Sequence, residues 1–213
     1  MAVSHSKKSV LLVFAKSPEP GKVKTRLIPD IGVNAATNLY KELLIRTLST
    51  SIHSELTEKQ LWLHGDLQHS FFTSHNEMKQ FSMKSQVGND LGERMFNAFE
   101  QALKAFDHAI LIGSDCPELT PSDLATANKM LLNDKDIVLG PSEDGGYYLI
   151  GLKKNHVQLF SNIEWGTEHV YSKTRQIAER LDLNIGLLEK RSDVDRVSDI
   201  KLFEEIKKKE KAG

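Results

Sequence analysis

The chain has 213 residues, 39% of them apolar, with 28 Lys and Arg against 29 Asp and Glu for a net charge of −1. That composition suits a folded globular chain and excludes a disordered or collagen-like one, and the balanced charge gives no pull towards nucleic acid or a membrane surface. One cysteine, Cys116, excludes an intrachain disulfide and a cysteine-based zinc cluster, so a reducing cytoplasm is the expected location. The first apolar run, Val10 to Ala15, stops at Lys16, too short for a signal-peptide core or a membrane span. It reads instead as a parallel strand buried on both faces. A loop over 16–32 follows, holding three of the six prolines and two glycines. Ala35, Ala36, Leu39, Tyr40, Leu43, Leu44 and Leu48 then recur at helical spacing.

A second strand is predicted over 60–64, and the polar, aperiodic stretch 66–90 is given one short helix. Leu91, Met95, Ala98, Phe99, Ala102, Leu103 and Phe106 mark another helical face, with Asp90 placed to cap it. A strand over 108–113 precedes a helix opening at Pro121. Strands over 136–140 and 146–151 flank the loop Pro141 to Gly145. A helix over 167–182, a strand over 184–188 and a charged helix over 196–211 complete the chain. Strands alternating with helices predict an α/β sheet covered on both faces, here read as one domain. The eight histidines (5, 53, 64, 69, 75, 108, 156, 169) show no H-E-x-x-H spacing, which disfavours a zinc hydrolase. The stretch from Ile200 to Gly213 has five lysines against three glutamates, read as a solvated helix end or a contact for an acidic partner.

The segment Phe14 to Leu27 reads F-A-K-S-P-E-P-G-K-V-K-T-R-L, and from Lys16 to Arg26 it holds four cations and one anion. It follows a strand, at the sheet edge where α/β proteins bind ligands. Lysine, arginine and backbone N–H groups turned outwards by Pro and Gly suit a polyphosphate; the competing reading is a solvated Pro-rich turn. The spacing matches neither GxxxxGK[ST] nor GxGxxG, which disfavours a P-loop ATPase and a dinucleotide site.

Five further blocks accompany this loop: G-N-D-L-G-E-R-M (Gly88 to Met95), I-G-S-D-C-P (Ile112 to Pro117), L-G-P-S-E-D-G-G-Y-Y-L-I-G-L (Leu139 to Leu152), W-G-T (Trp165 to Thr167) and D-V-D (Asp193 to Asp195). Together they resemble a bacterial glycosyltransferase-like family, of the DUF2064 type, within the nucleotide-diphospho-sugar transferase superfamily. The resemblance implies a three-layer α/β/α sandwich with a mostly parallel sheet, the glycosyltransferase A (GT-A) fold. In that superfamily the loop after the first strand wraps the nucleotide's phosphates, a role it assigns here to Lys16, Gly21, Lys24 and Arg26. The last block departs from the superfamily's commoner D-x-D-T-P-E-D, lacking its Thr and Pro while keeping both aspartates.

Asp115 directly follows an apolar strand, where a carboxylate can hold a hard cation or form a turn before Pro117. In the enzymes this chain resembles, the strand-end aspartate and a late aspartate share the metal. Asp115 and Asp195 are therefore the expected ligands of Mg2+ or Mn2+, with capping of the last helix the alternative for Asp195. Asp144 reads either as part of a D-G hairpin turn or as a carboxylate facing the acceptor, with Gly145 allowing close approach. Tyr147 and Trp165 are candidates for the acceptor wall, and Trp165 could equally fill the core. Gly92 and Arg94 open a helix whose N-terminus favours anions, and by position they resemble the base- and phosphate-recognition turn of related transferases. Cys116, without an evident His partner, reads as a small buried residue.

The function this implies is metal-dependent transfer from a nucleotide-diphospho-sugar donor, with Asp115, Asp144 and Lys24 at the reacting groups. A nucleotidylyltransferase that releases pyrophosphate is the rival within the fold. A non-catalytic nucleotide-sugar binder is the rival from another class.

Overall fold

The computed structural model describes residues 8–212, with side chains described as far as Lys209. His5, Gly213 and the side chains of Glu210 and Lys211 lie outside that range. Seven strands form one sheet: β1 (Ser9–Lys16), β2 (Glu58–His64), β3 (Ser82–Ser85), β4 (His108–Ile112), β5 (Ile137–Pro141), β6 (Tyr147–Leu152) and β7 (Ile185–Leu187), in the order β3-β2-β1-β4-β6-β5-β7. All neighbouring pairs are parallel except those of β6, which runs antiparallel to both β4 and β5. Five residues join β5 to β6, too few for a parallel crossover, so the chain turns back as a hairpin.

β1 shows how the sheet is covered. Leu11, Val13 and Ala15 enter one apolar cluster, and Val10, Leu12 and Phe14 enter another on the opposite face. Against the first face pack α1 (Ile28–Ile52), through Tyr40, Leu44 and Leu48, and α4 (Pro121–Leu132), through Leu124, Ala127 and Leu131. Against the second pack α3 (Leu91–Ala102), through Met95, Ala98 and Phe99, and α5 (Val170–Arg180), through Ala178. Gly32, at φ 81° and ψ 161°, separates the first turn of α1 from the long helix.

The stretch 66–90 holds more than the single short helix expected. It contains α2 (Ser70–Ser74), a 3-10 turn (Asn76–Gln80) and the edge strand β3. β3 reads S-M-K-S and pairs only with β2, so it carries none of the apolar continuity of a central strand. The charged α6 (Val197–Ala212) docks on α1: Phe203 is buried with Leu27, Leu39, Leu43 and Val194, and Lys207 pairs with Glu42 at 2.9 Å. Among the described residues no helix is long and apolar enough to cross a membrane.

Candidate functional site

The sheet's ligand edge is set by the strand directions. β1, β2 and β4 are parallel and end at Lys16, His64 and Ile112, and the β5–β6 hairpin opens at the same edge because β6 starts where its antiparallel neighbour β4 ends. Three adjoining cavities occupy this edge. One of about 470 Å³ is lined by Lys16, Lys24, Arg26, His64, Gln86, Arg94, Asp115 and Asp195. A smaller apolar one of about 190 Å³ is lined by Met95, Tyr147, Trp165 and Asp193. A third of about 780 Å³ is lined by Arg26, Gly145, Glu168, Asp193, Asp195 and Arg196. Asp144 and Gly166 line all three.

The basic loop reaches this edge folded back on itself. Ser17 donates from its N–H to His64 O and from Oγ to Asp66 O, which fixes the loop's start to the end of β2. Gly21 takes φ 81° at the exposed tip, and Lys22 pairs outwards with Glu19 at 2.5 Å. Val23 is buried in the core, so the next residue, Lys24, is carried inwards in a left-handed conformation (φ 46°, ψ 41°). Its side chain is only 4% exposed. Nζ lies 2.6 Å from Asp115 Oδ1 and 3.2 Å from Asp195 Oδ1, and donates to Val194 O at 2.7 Å. Burial by itself would depress this ammonium, but the charges of Asp115 and Asp195 hold it above its ordinary value.

The acidic residues are brought together by backbone pairing. Val194 N–H donates to Asp115 O at 2.9 Å, joining the turn after β4 to the segment before α6. Arg26 Nη1 also reaches Asp195, at 3.3 Å. Asp195 therefore spends its carboxylate on Lys24 and Arg26. Asp199 is the residue that accepts from the N–H groups of Asp195 and Arg196 at the start of α6. Burial, then the nearby Asp115, Asp144 and Asp195, pushes the Asp193 carboxyl up to about 7.

The donor set fits a hard divalent cation. Asp115 and Asp195 present oxygen ligands from two distant segments within 3.2 Å of one nitrogen, and Asp115 Oδ1 is buried without a well-aligned hydrogen bond. The crowding that raises Asp193 is a local excess of negative charge, which a cation relieves. Among the described residues no group of three or more His, Cys, Asp or Glu could hold a metal by itself. Mg2+ needs no such cage, since it keeps waters and shares one or two carboxylates with substrate phosphates.

Asp144 builds the hairpin turn and also lines the cleft. Its Oδ1 accepts from Ser142 Oγ at 2.6 Å and Gly146 N–H at 2.9 Å, which builds the hairpin, while the residue stands where the three cavities meet. Gly145, at φ 88°, lies against the Glu168 carbonyl, leaving no room for a Cβ. Tyr147 meets Trp165 edge-to-face at 6.5 Å beside the apolar cavity, and Tyr148 points into the core and donates to Glu189 O.

Arg94 makes no ion pair among the described residues, and its buried Nε has no hydrogen-bond partner. Gly92 is a packing position, since a Cβ there would come within 2.5 Å of Trp165 Nε1 and Phe160 O. Cys116 is buried, and burial pushes its thiol up, away from nucleophilic character.

Sequence reasoning passed over three cleft residues. Tyr40 was legible only as one apolar position of α1, yet its hydroxyl accepts from Lys16 N–H at 2.7 Å and donates to Lys16 O at 3.0 Å. Gln86, in the aperiodic stretch, donates from its amide to Ala15 O and Trp62 O. His64 lines the basic side of the cleft, where burial, Arg94 and Lys16 depress its imidazole.

Comparisons with known proteins agree with this architecture. A family described as uncharacterized proteins conserved in bacteria (DUF2064) matches residues 47–167. A protein of Desulfovibrio desulfuricans G20, provisionally named a nucleotide-diphospho-sugar transferase, is 34% identical, with a TM-score of 0.82 over 90% of this chain and 84% of its own. CMP:2-keto-3-deoxy-manno-octonic acid synthetase, solved with CTP, shares the fold at 12% identity (TM-score 0.64; 95% of this chain, 99% of the other). So does glucosyl-3-phosphoglycerate synthase from Mycobacterium tuberculosis, solved with Mn2+, UDP and glucosyl-3-phosphoglycerate (12% identity; TM-score 0.58; 91% and 74%). Comparison with curated proteins gives no match. With a family profile spanning more than half its length and a relative above 30% identity along most of both chains, this chain belongs to the DUF2064 family and has the nucleotide-diphospho-sugar transferase (GT-A-like) fold.

Proposed function

We propose that the protein is a metal-dependent transferase acting on a nucleotide-diphospho-sugar donor. The observation that carries this reading is the meeting of Lys24 and Arg26 with Asp115 and Asp195, some 90 to 170 residues apart in sequence, at the mouth of one cleft. Asp115 and Asp195 would hold Mg2+ or Mn2+, and such an ion offsets the charge that grows on the leaving diphosphate. Lys16 and Arg94, on the cleft wall and without carboxylate partners among the described residues, bind and orient the phosphates. Tyr147 and Trp165 give the sugar or acceptor an apolar wall that excludes water.

Asp144 suits the part of general base. Its Oδ1 is occupied by Ser142 and Gly146, which fixes the carboxylate and leaves Oδ2 to take a proton from an acceptor hydroxyl. A second reading, nucleotidyl transfer, draws on the supply of cations. Lys16, Arg26 and Arg94 all line the cavity of about 470 Å³, enough positive charge for a triphosphate. One assay separates the two. The protein with Mn2+ is incubated with nucleotide sugars and candidate acceptors, or with nucleoside triphosphates and sugar phosphates, and products are followed by phosphorus NMR. Release of nucleoside diphosphate or monophosphate supports sugar transfer, and release of pyrophosphate supports nucleotidyl transfer. Binding of nucleotide without turnover in any combination would leave a nucleotide-sugar binder.

A further inference from the structure

Lys24 is unusual for a phosphate-loop lysine because its charge is already spent on protein. Its ammonium touches one oxygen each of Asp115 and Asp195, the same pair read above as the metal-holding carboxylates, and it also donates to Val194 O. The lysine side chain is 4% exposed, whereas the two carboxylates are 44% and 33% exposed. The cation therefore approaches from beneath, and the acids stay open to the cleft. Its backbone sits in the left-handed region, which a side-chain-bearing residue rarely adopts, held there by buried Val23 on one side and the turn Thr25–Leu27 on the other. Two cations cannot both sit at close range on one pair of carboxylates without strong mutual repulsion.

We infer that Lys24 is the resident counter-cation of the acidic pair, displaced by the divalent ion and then turned towards the phosphates of the nucleotide. This rests on the reading of Asp115 and Asp195 as the metal-holding pair. A divalent ion entering alone must break the contacts of Lys24 while the released ammonium gains no new partner. A diphosphate entering alone finds Lys24 already engaged. Together, the ion takes the carboxylates and the ammonium takes a phosphate oxygen, so each ligand strengthens the other by the same factor. Lys24 is thus a coupling residue between the metal and phosphate halves of the site.

Manganese binding to the full chain, followed through the electron paramagnetic resonance signal of free Mn2+, tests this without reference to turnover. Lys24→Met removes the charge, and Lys24→Gln removes it while keeping a donor for Val194 O. Both variants should bind Mn2+ alone about tenfold or more tightly than the unsubstituted protein, as expected for loss of a close competing charge. The strengthening of Mn2+ binding by UDP, CDP, GDP or ADP should also shrink in both. Unchanged or weaker Mn2+ affinity in the two variants overturns the inference and leaves the transferase reading standing. Absence of Mn2+ binding by the unsubstituted protein, with and without those nucleotides, overturns both. A measurement on the unsubstituted protein covers the case in which neither variant folds. Reductive methylation of the Lys24 amine, read by mass spectrometry, should rise several-fold when Mn2+ replaces chelator, and equal labelling overturns the inference.

Discussion

Asp115 is the residue on which the proposed chemistry turns, and its surroundings make the consequence of changing it specific. Its backbone carbonyl takes Val194 N–H, so the main chain, and not the carboxylate, ties the two acidic segments together. Asp115→Asn keeps that bond and the side chain's shape, removes one charge from beside Lys24, and leaves the lysine with Asp195 and Val194. Affinity for Mn2+ should fall by more than the roughly 10–100-fold typical of a residue that only supports a ligand, while the thermal midpoint stays within a few degrees. Wild-type Mn2+ affinity in this variant, measured by titration, would remove Asp115 from the metal site.

Asp115 was legible in sequence because it stands where an apolar strand stops. The inward turn of Lys24 was not. It depends on the left-handed backbone at that residue and on the burial of Val23, neither of which follows from the order of charges in K-V-K-T-R. Asp144 shows a different limit: a hairpin turn and a cleft-facing carboxylate are separate readings of one string until folding puts them in the same place.

Among the elements, α4 does more for the site than its distance in sequence suggests. Thr120 caps it by accepting from Asp123 N–H, and the Asp123 carboxylate takes the Thr120 N–H and hydroxyl in return. The same carboxylate accepts from Arg191 Nη2 at 3.0 Å. Arg191 in turn holds the hairpin, its N–H donating to Pro141 O and its carbonyl accepting from Glu143 N–H. The helix start thus anchors the segment that runs on to Asp193 and Asp195. Thr120→Ala should cost about 1 kcal/mol in stability, the usual value for a lost cap, and leave nucleotide binding intact. Asp123→Ala keeps the Thr120 hydroxyl as cap but loses the reciprocal half of the capping box. It also takes from the Arg191 guanidinium its nearer carboxylate, leaving the exposed Glu189 at 3.6 Å. The change should therefore cost about 2–4 kcal/mol and weaken Mn2+ and nucleotide binding together. Urea unfolding of both variants beside ligand titration checks the contrast; equal stability losses, with binding unaffected in each, would detach α4 from the site.

At this scale periodicity found the long helices and the central strands, whose burial is continuous. It did not find β3, whose four residues are held by pairing to β2 and whose side chains carry no apolar signal. The hairpin direction of β6 was implicit in its short connection to β5, a constraint of chain length and not of residue type.

Taken as a whole molecule, the cleft is closed by segments drawn from nearly the full length of the chain: the loop after β1, the ends of β2 and β3, the turn after β4, the β5–β6 hairpin, Gly166 and Asp195. Its basic wall and acidic rim belong to different parts of the sequence. Lys24 and Arg26 offset the rim only in part, since Asp193 is still crowded by Asp115, Asp144 and Asp195, and on the wall Lys16 and Arg94 have no carboxylate partner among the described residues. A ligand that brings a divalent cation to the rim and phosphates to the wall relieves both at once, whereas either alone relieves one. Because such a ligand binds only the folded chain, its free energy adds to stability, by about 2.7 kcal/mol at a hundredfold excess over Kd. In a chain of this size each kcal/mol raises the melting temperature by roughly 2–4 °C. Melting curves should therefore rise by about 5–10 °C with Mn2+ and the matching nucleoside diphosphate together. Each alone should shift them much less, and across UDP, CDP, GDP and ADP the size of the joint shift ranks the bases. Shifts that merely add, with Mn2+ contributing the same increment whether or not the nucleotide is present, would mean that wall and rim serve separate ligands, and the cleft would lose its reading as one site.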